Sequence, residues 1–278
     1  MRNVRIVSDS ASDLLTLTQV EFAYAPMKMI TAEREIVDDG NLDVAEAVRF
    51  FDGYKGKSKS SCPNPNDWLE AFGDAEDVFC VTITGGLSGS YNSACAAKLT
   101  YETEHPGRRV FVMDSLSAGP EITMTVWRLE EMLASGMEYE EVCREITEYQ
   151  KQTGLAFMLK SLKNFANNGR VSPIIAKLVG LAGICIVGRA SDVGTLEPVH
   201  KCRGEARSLD ALVADMQARG WKKGRVSIGY CNNEGAALRL KEILCQKSRD
   251  VSVEIHPLRG LCSFYAENGG LLVGFEKN

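Results

Sequence analysis

The sequence has few of the residues from which metal centres and disulfide frameworks are built. Its three histidines, His105, His200 and His256, lie far apart. Its nine cysteines (Cys62, Cys80, Cys95, Cys143, Cys185, Cys202, Cys231, Cys245 and Cys262) are odd in number, scattered and never spaced C-x-x-C. That distribution argues against a zinc ribbon or a stapled secreted domain and reads as reduced thiols, most of them packed as small hydrophobes. No metal and no cofactor is expected. Long apolar runs are missing as well. The longest, residues 174–187, is broken by Lys177 and Gly180, and it falls short of the ~20 residues that a bilayer core requires. A buried helix is expected there, and no membrane span. The opening MRNVRIVSDSASDL contains neither the apolar core nor the cleavage site of a signal peptide. Charge of one sign is not in excess: the formal net charge is −5 and no basic block occurs, so nothing favours nucleic acid or an anionic membrane surface as a partner. The expectation is a cytoplasmic protein.

What the chain does have is an ordinary globular composition, 45% hydrophobic and 25% charged over 278 residues, enough for one large domain or two of common size. Short strands alternate with helical patterns through the first half. Residues 4–8, 78–84 and 109–114 read as strands; 43–54 and 88–105 read as helices; 11–18 reads as a turn with a short helix. A long helical region follows over 121–153, interrupted near Gly136. Such alternation predicts a mostly parallel sheet covered on both faces, a three-layer α/β/α domain over residues 1–153.

From Leu155 the pattern changes. Strands are expected at 155–159, 184–188, 195–201, 225–230, 251–256 and 271–275, and helices at 162–168, 173–179, 208–219 and 233–245. Without strict alternation this half reads as an α+β domain with a mixed sheet, over residues 154–278. No low-complexity linker separates the halves, so they are expected to pack closely around a cleft.

The most informative stretch is VTITGGLSGSYNSA, residues 81–94. A β-branched run breaks into glycines and hydroxyls and then resumes with residues suited to a helix. Exposed N–H groups at a helix start favour an anion, yet GGLSGS matches neither common nucleotide-phosphate motif and no lysine follows. The same residues resemble a nucleophile elbow imperfectly, with Ser90 where a glycine belongs; Asp114 and His256 would complete a serine hydrolase with Ser88 in the right chain order. A third possibility is a carboxylate accepting hydrogen bonds from Ser88 and the turn. A fourth is simple helix capping by Ser88.

Read in order, several segments resemble the DegV family of fatty-acid-binding proteins. VSDSASDL (7–14) is similar to the family's opening strand and Asp-Ser turn, SSCPNPNDW (60–68) to its Thr-Ser-x-Pro-Ser-Pro loop, ITGGLSGSYNSA to its Ser-Gly-Thr loop and VMDSLSAG (112–119) to its second Asp-Ser turn. LKNFANNGRVS (162–172) resembles its Leu-x-x-Gly-Gly-Arg segment, and HKCRGEARSLDAL (200–212) its basic Arg-Gly stretch. The chain departs from the family in three places: Ser60 replaces a threonine, Asn168 a glycine, and Tyr265 stands where a histidine usually opens a His-Thr-Gly-Pro-Gly element. Tyrosine donates a hydrogen bond but carries no charge near neutral pH.

The resemblance implies two α/β domains with a long-chain fatty acid between them. It places the carboxylate at Ser60, Ser61, Ser88, Gly89 and Tyr265 with nearby backbone N–H groups, glycines letting the backbone approach it. The tail would run into the second domain, walled by SPIIAKLVGLAGICIV (172–187). Arg170 and Arg203 would stand at the pocket mouth and contact a phosphate or a partner. That partner would be a separate ATP-dependent fatty acid kinase, for which this chain is a lipid-binding carrier and not itself an enzyme.

Overall fold

The computed structural model describes residues 2–172 and 183–278. The expected helix at 173–179 and most of the expected tail wall lie outside the described residues. The first half is built on four parallel strands in the order β2-β1-β6-β7: β1 Val4–Asp9, β2 Glu21–Ala25, β6 Asp77–Thr82 and β7 Arg109–Asp114. Alternate residues of these strands face opposite ways because a strand's side chains have a period of two. Val7, Val78 and Cys80 pack under helices α2 (Pro65–Phe72) and α3 (Ser90–Glu104) with Trp68 and Phe72. Ile6, Phe79 and Val81 face α4 (Pro120–Ala134) and α5 (Tyr139–Lys151). The three-layer α/β/α expectation is met.

The second half carries a six-stranded mixed sheet, β10-β9-β8-β13-β11-β12, in which β11 and β12 form its one parallel pair. Its strands are β8 Thr153–Leu159, β9 Ile184–Ala190, β10 Leu196–Arg203, β11 Gly224–Tyr230, β12 Val251–Pro257 and β13 Leu271–Glu276. One face is covered by α7 (Glu205–Ala218) and α8 (Glu234–Lys247), with Ala156 and Met158 pointing into that layer. The other face sends Leu155, Phe157 and Leu159 into a core shared with the first half, where α4 touches both sheets. The α+β reading of this half holds.

Several local expectations need correction. A three-stranded antiparallel sheet, β4-β3-β5, lies in the first half where sequence patterning showed none: β3 Lys28–Ile30, β4 Glu35–Val37 and β5 Lys59–Ser61. Strands of three residues are too short to display a period. The segment read as a loop at 60–68 contains the end of β5 and the start of α2, which Asn64 and Asp67 close with a reciprocal capping box behind Pro65. The expected short helix within 11–18 is only a single 3-10 turn, Ser10–Ser12, capped by Asp9. A seven-residue helix, α9 (Gly260–Ala266), was unforeseen, whereas α1 (Val44–Gly53) and α6 (Lys163–Asn167) fall where expected. Four of the nine cysteines, Cys80, Cys185, Cys231 and Cys262, are buried; Cys245 is exposed and the others are half-buried. Of the half-buried four, Cys62, Cys143 and Cys202 pack against the hydrophobic cores, so most of the thiols sit as small hydrophobes, as expected. Among the described residues, no helix is long and apolar enough to cross a membrane.

Candidate functional site

The expected turn begins where β6 ends. Asp9, at the end of β1, accepts hydrogen bonds from Ile83 N–H (2.9 Å), Ser90 Oγ (2.6 Å) and Ala11 N–H (3.2 Å). It thereby ties the turn to the sheet. Helix α3 starts at Ser90 rather than Ser88, with Gly89 at the N-cap. Among the described residues Ser88 Oγ accepts only a long bond from Ser90 N–H (3.3 Å), and Ser88 lines a pocket. The capping reading of Ser88 is thus not what the geometry shows.

Backbone N–H groups of the turn are largely committed elsewhere. Gly85 N–H donates to the Asp114 carboxylate (3.0 Å), Gly86 N–H to Thr84 Oγ1 (3.0 Å), and Leu87 and Ser88 N–H to Thr84 O (3.3 and 3.2 Å). For these four amides the expectation of an anion is corrected, since each would have to give up a partner; the Gly89 N–H, which the family resemblance placed at the carboxylate, is not among them. The glycines also serve protein contacts. A Cβ at Gly86 would lie 2.7 Å from the Val193 carbonyl, in the turn between β9 and β10. Glycine is needed there for close approach of the second half.

Between the two halves runs a pocket, open at its mouth, whose atom-free space counted out into the solvent is about 730 Å³. Leu155, Phe157, Leu159, Leu196, Leu261 and Leu272 supply apolar wall from the second half, while Ile83, Leu87 and Met27 supply it from the first. Phe157 fits because its neighbour across the ladder is Gly188, where a Cβ would approach the ring to 2.4 Å. Polar groups on the lining include Ser60, Ser88, Tyr265 and Arg170.

These four come from four different elements. Ser60, on β5, shares a 2.6 Å hydrogen bond with Tyr265 Oη on α9. Burial raises the Tyr265 phenol above its ordinary value, keeping it a neutral donor, with the Ser60 bond and the Arg170 charge opposing the rise. Arg170, just past α6, donates from Nε to Leu87 O (2.7 Å) and from Nη1 to Asn168 O (3.3 Å), with its guanidinium carbon 5.5 Å from the Tyr265 ring centre. The arrangement offers hydroxyls and a cation at one region of an otherwise greasy pocket, which suits an amphiphile bearing an anionic or polar head.

Other expected residues stand apart. Ser61 and Gly89 neighbour the site but do not line the pocket. Arg203 does not reach it at all: it is exposed at the end of β10 opposite Leu196, beside Gly204, whose N–H bonds Gly183 O. Six residues of strand, at ~3.3 Å each, separate it from Leu196 on the pocket wall. The serine-hydrolase constellation is not assembled either. Ser88 lines the interdomain pocket, Asp114 accepts from the Gly85 and Leu116 amides, and His256 lies on β12 in a separate groove with Trp127. Burial depresses the His256 imidazole to about 4 and its Nε2 has no hydrogen-bond partner among the described residues; a base so placed cannot activate Ser88.

Sequence reasoning missed the asparagines. Asn168 Oδ1 accepts from Ser60 N–H (3.0 Å), and its Nδ2 donates to Ser58 O (3.2 Å) and Asn164 O (2.8 Å). Asn164 Oδ1 accepts from Ser58 Oγ (3.1 Å) and its Nδ2 donates to Phe264 O (2.7 Å). Their i, i+4 spacing, Asn164 on α6 and Asn168 at its C-cap, was the available signal.

Comparison with known proteins bears on the family and the fold. The pattern of the DegV family of uncharacterised proteins matches residues 3–278. A DegV domain-containing protein of Streptococcus pneumoniae is 40% identical over 276 residues, covering 98% of both chains. Among solved structures, the Streptococcus pneumoniae Fatty Acid Kinase (Fak) B3 protein loaded with linoleic acid superposes with a TM-score of 0.97 at 40% identity, covering 99% of this chain and 100% of that one. A DegV family protein from Eubacterium eligens loaded with heptadecanoic acid gives 0.96 at 39% identity over the same shares.

Proposed function

This chain belongs to the DegV family, and from that premise we propose that it binds a long-chain fatty acid at the seam between domains 1–153 and 154–278. The observation that carries the reading is the pocket itself: apolar along most of its walls, with Ser60, Ser88, Tyr265 and Arg170 among the polar residues on its lining. The carboxylate accepts hydrogen bonds from Ser60, Ser88 and Tyr265 and is balanced by Arg170, since charge-assisted bonds are the strong ones. The tail lies against Leu155, Phe157, Leu159 and Leu272. At ~0.8 kcal/mol per buried CH₂, a long acyl chain brings on the order of 10 kcal/mol before association costs. Affinity resides in the tail, orientation in the head-group site.

A relative described as a fatty acid kinase B3 protein supports a further step: this chain is a cytoplasmic carrier that presents the carboxylate to a separate ATP-dependent kinase, which transfers a phosphoryl group to it and forms an acyl phosphate. Arg203, exposed and away from the pocket, suits contact with that partner. The test is native mass spectrometry of protein purified from a bacterial host, then delipidation and titration with defined fatty acids. A co-purified fatty acid that rebinds supports the carrier reading; a delipidated, folded protein that takes up none overturns it.

A further inference from the structure

We propose that Asn168 is the positioning residue of the head-group site, pairing through its side-chain amide with the free edge of β5 and so setting Ser60 opposite Tyr265. The inference rests on the fatty-acid reading above. Strand β5 lies at the edge of the small sheet, with β3 on one side only. An edge strand presents outward-facing N–H and C=O groups that need partners. Here the outward pair is Ser58 O and Ser60 N–H, two residues apart, and one carboxamide answers both: Nδ2 donates to the first and Oδ1 accepts from the second. A residue of a parallel partner strand would bond the same two groups.

The consequence is positional. With Ser60 N–H held from the second half and Met29 beside it on β3, the Ser60 side chain is directed to the pocket, where its Oγ meets Tyr265 at 2.6 Å. The backbone carbonyl of Asn168 also accepts from Arg170. Asn164, one turn earlier, bonds Phe264 O next to Tyr265. One short helix thus registers three of the polar groups against each other, although Asn168 itself does not line the pocket. Glycine, the residue expected here from the family resemblance, has no side chain with which to do this.

The experiment is a double-mutant cycle by titration calorimetry on the delipidated full chain, using palmitic acid and the chain-matched alcohol hexadecan-1-ol. Asn168→Ala is expected to weaken palmitic acid binding roughly tenfold and hexadecan-1-ol binding by about twofold or less, because only the carboxylate draws on the full set of donors. In a Ser60→Ala background the same change is expected to cost about twofold or less, since coupled residues are not additive. Equal losses for acid and alcohol, or a full loss persisting without the Ser60 hydroxyl, would reduce Asn168 to a clamp between the halves and overturn the proposal. Should Asn168→Ala fail to fold, hydrogen exchange of the wild-type Ser60 amide decides: protection like that of ladder amides supports the pairing, and exchange like that of an open edge overturns it. A wild-type protein that binds neither probe overturns the fatty-acid reading itself, a result distinct from either outcome with the variant.

Discussion

Ser60 Oγ and Tyr265 Oη lie 2.6 Å apart although 205 positions separate them in the chain. One hydroxyl comes from an edge strand of the first half and the other from a short helix of the second, so the pair exists only when the halves are closed on each other. A ligand carboxylate that accepts from both would hold that closure.

Tyr265→Phe removes one donor and leaves the ring against Phe165, whose centre is 4.7 Å away. Affinity for a long-chain fatty acid should fall by about 1 kcal/mol, with little change in melting temperature. Calorimetric titration checks this, and an unchanged dissociation constant would remove Tyr265 from the head-group site.

Ser60→Ala combined with Ser88→Ala should cost roughly 1 to 3 kcal/mol of fatty-acid binding. Folding should survive, because neither hydroxyl donates a hydrogen bond to the backbone among the described residues. The measurement is the same titration on a delipidated double variant whose circular dichroism matches the parent. Full affinity in that variant would place the carboxylate elsewhere.

The two arginines should separate. Arg170→Ala, at the pocket, is expected to weaken fatty-acid binding by about tenfold or more. Arg203→Ala, exposed on β10, should bind normally and lose acyl phosphate formation when a cognate kinase and ATP are supplied. Intact phosphorylation of Arg203→Ala would free that residue from partner contact.

Stability should decline as pH rises toward neutrality. Burial raises Asp13 to about 7 and Asp9 to about 6, and Asp38, whose charge opposes both, is raised as well. Their hydrogen bonds pull the other way: Asp13 accepts from Arg259 N–H, and Asp38 from the Gly260 and Leu261 N–H groups. A carboxyl whose folded value is raised keeps its proton longer in the native state. Its favourable contribution is complete below the ordinary 3.8 and is lost as pH climbs through about 6 for Asp9 and about 7 for Asp13. The slope is at most about 1.4 kcal/mol per pH unit for each group. Ion-paired Asp77 and Glu205, held below their usual range despite burial by hydrogen bonds to Arg109 and Arg2 and to Asn233 and Lys160, oppose this at more acid pH. Denaturant melts across the acid-to-neutral range should therefore show the fall, and Asp13→Asn should flatten it; a flat parent profile contradicts the assignment.

Gly188→Val should unfold or badly loosen the second sheet. Its Cβ would stand 2.4 Å from the Phe157 ring and 2.5 Å from Glu197 O, and overpacking of this kind costs about 1 to 3 kcal/mol or more. Chemical denaturation reads the loss directly.

Much of this protein was determined locally and could be read without a structure. Strand β7 spans the residues that its β-branched run suggests, and α4 and α5 break around Gly136, whose φ of +81° suits glycine. Both layer arrangements follow from hydrophobic periods of two and of about 3.6, which act through each element's own residues. The Ser-Gly turn was visible for the same reason. Tertiary structure alone decided the proposed head-group site. Residues 28–30, 35–37 and 59–61 are too short to show a period and become strands only by pairing with one another. The turn amides, open to an anion in the sequence, are taken by Thr84 and Asp114 once β6 and β7 lie side by side. Arg170 and Arg203 look alike along the chain, yet one turns into the pocket and the other is carried to the far end of β10. Asn168, an unremarkable residue in sequence, acquires its role from an edge strand more than a hundred positions away. Hydrogen-bond partners distant in sequence are chosen by the packing of whole elements, and no local pattern encodes that choice.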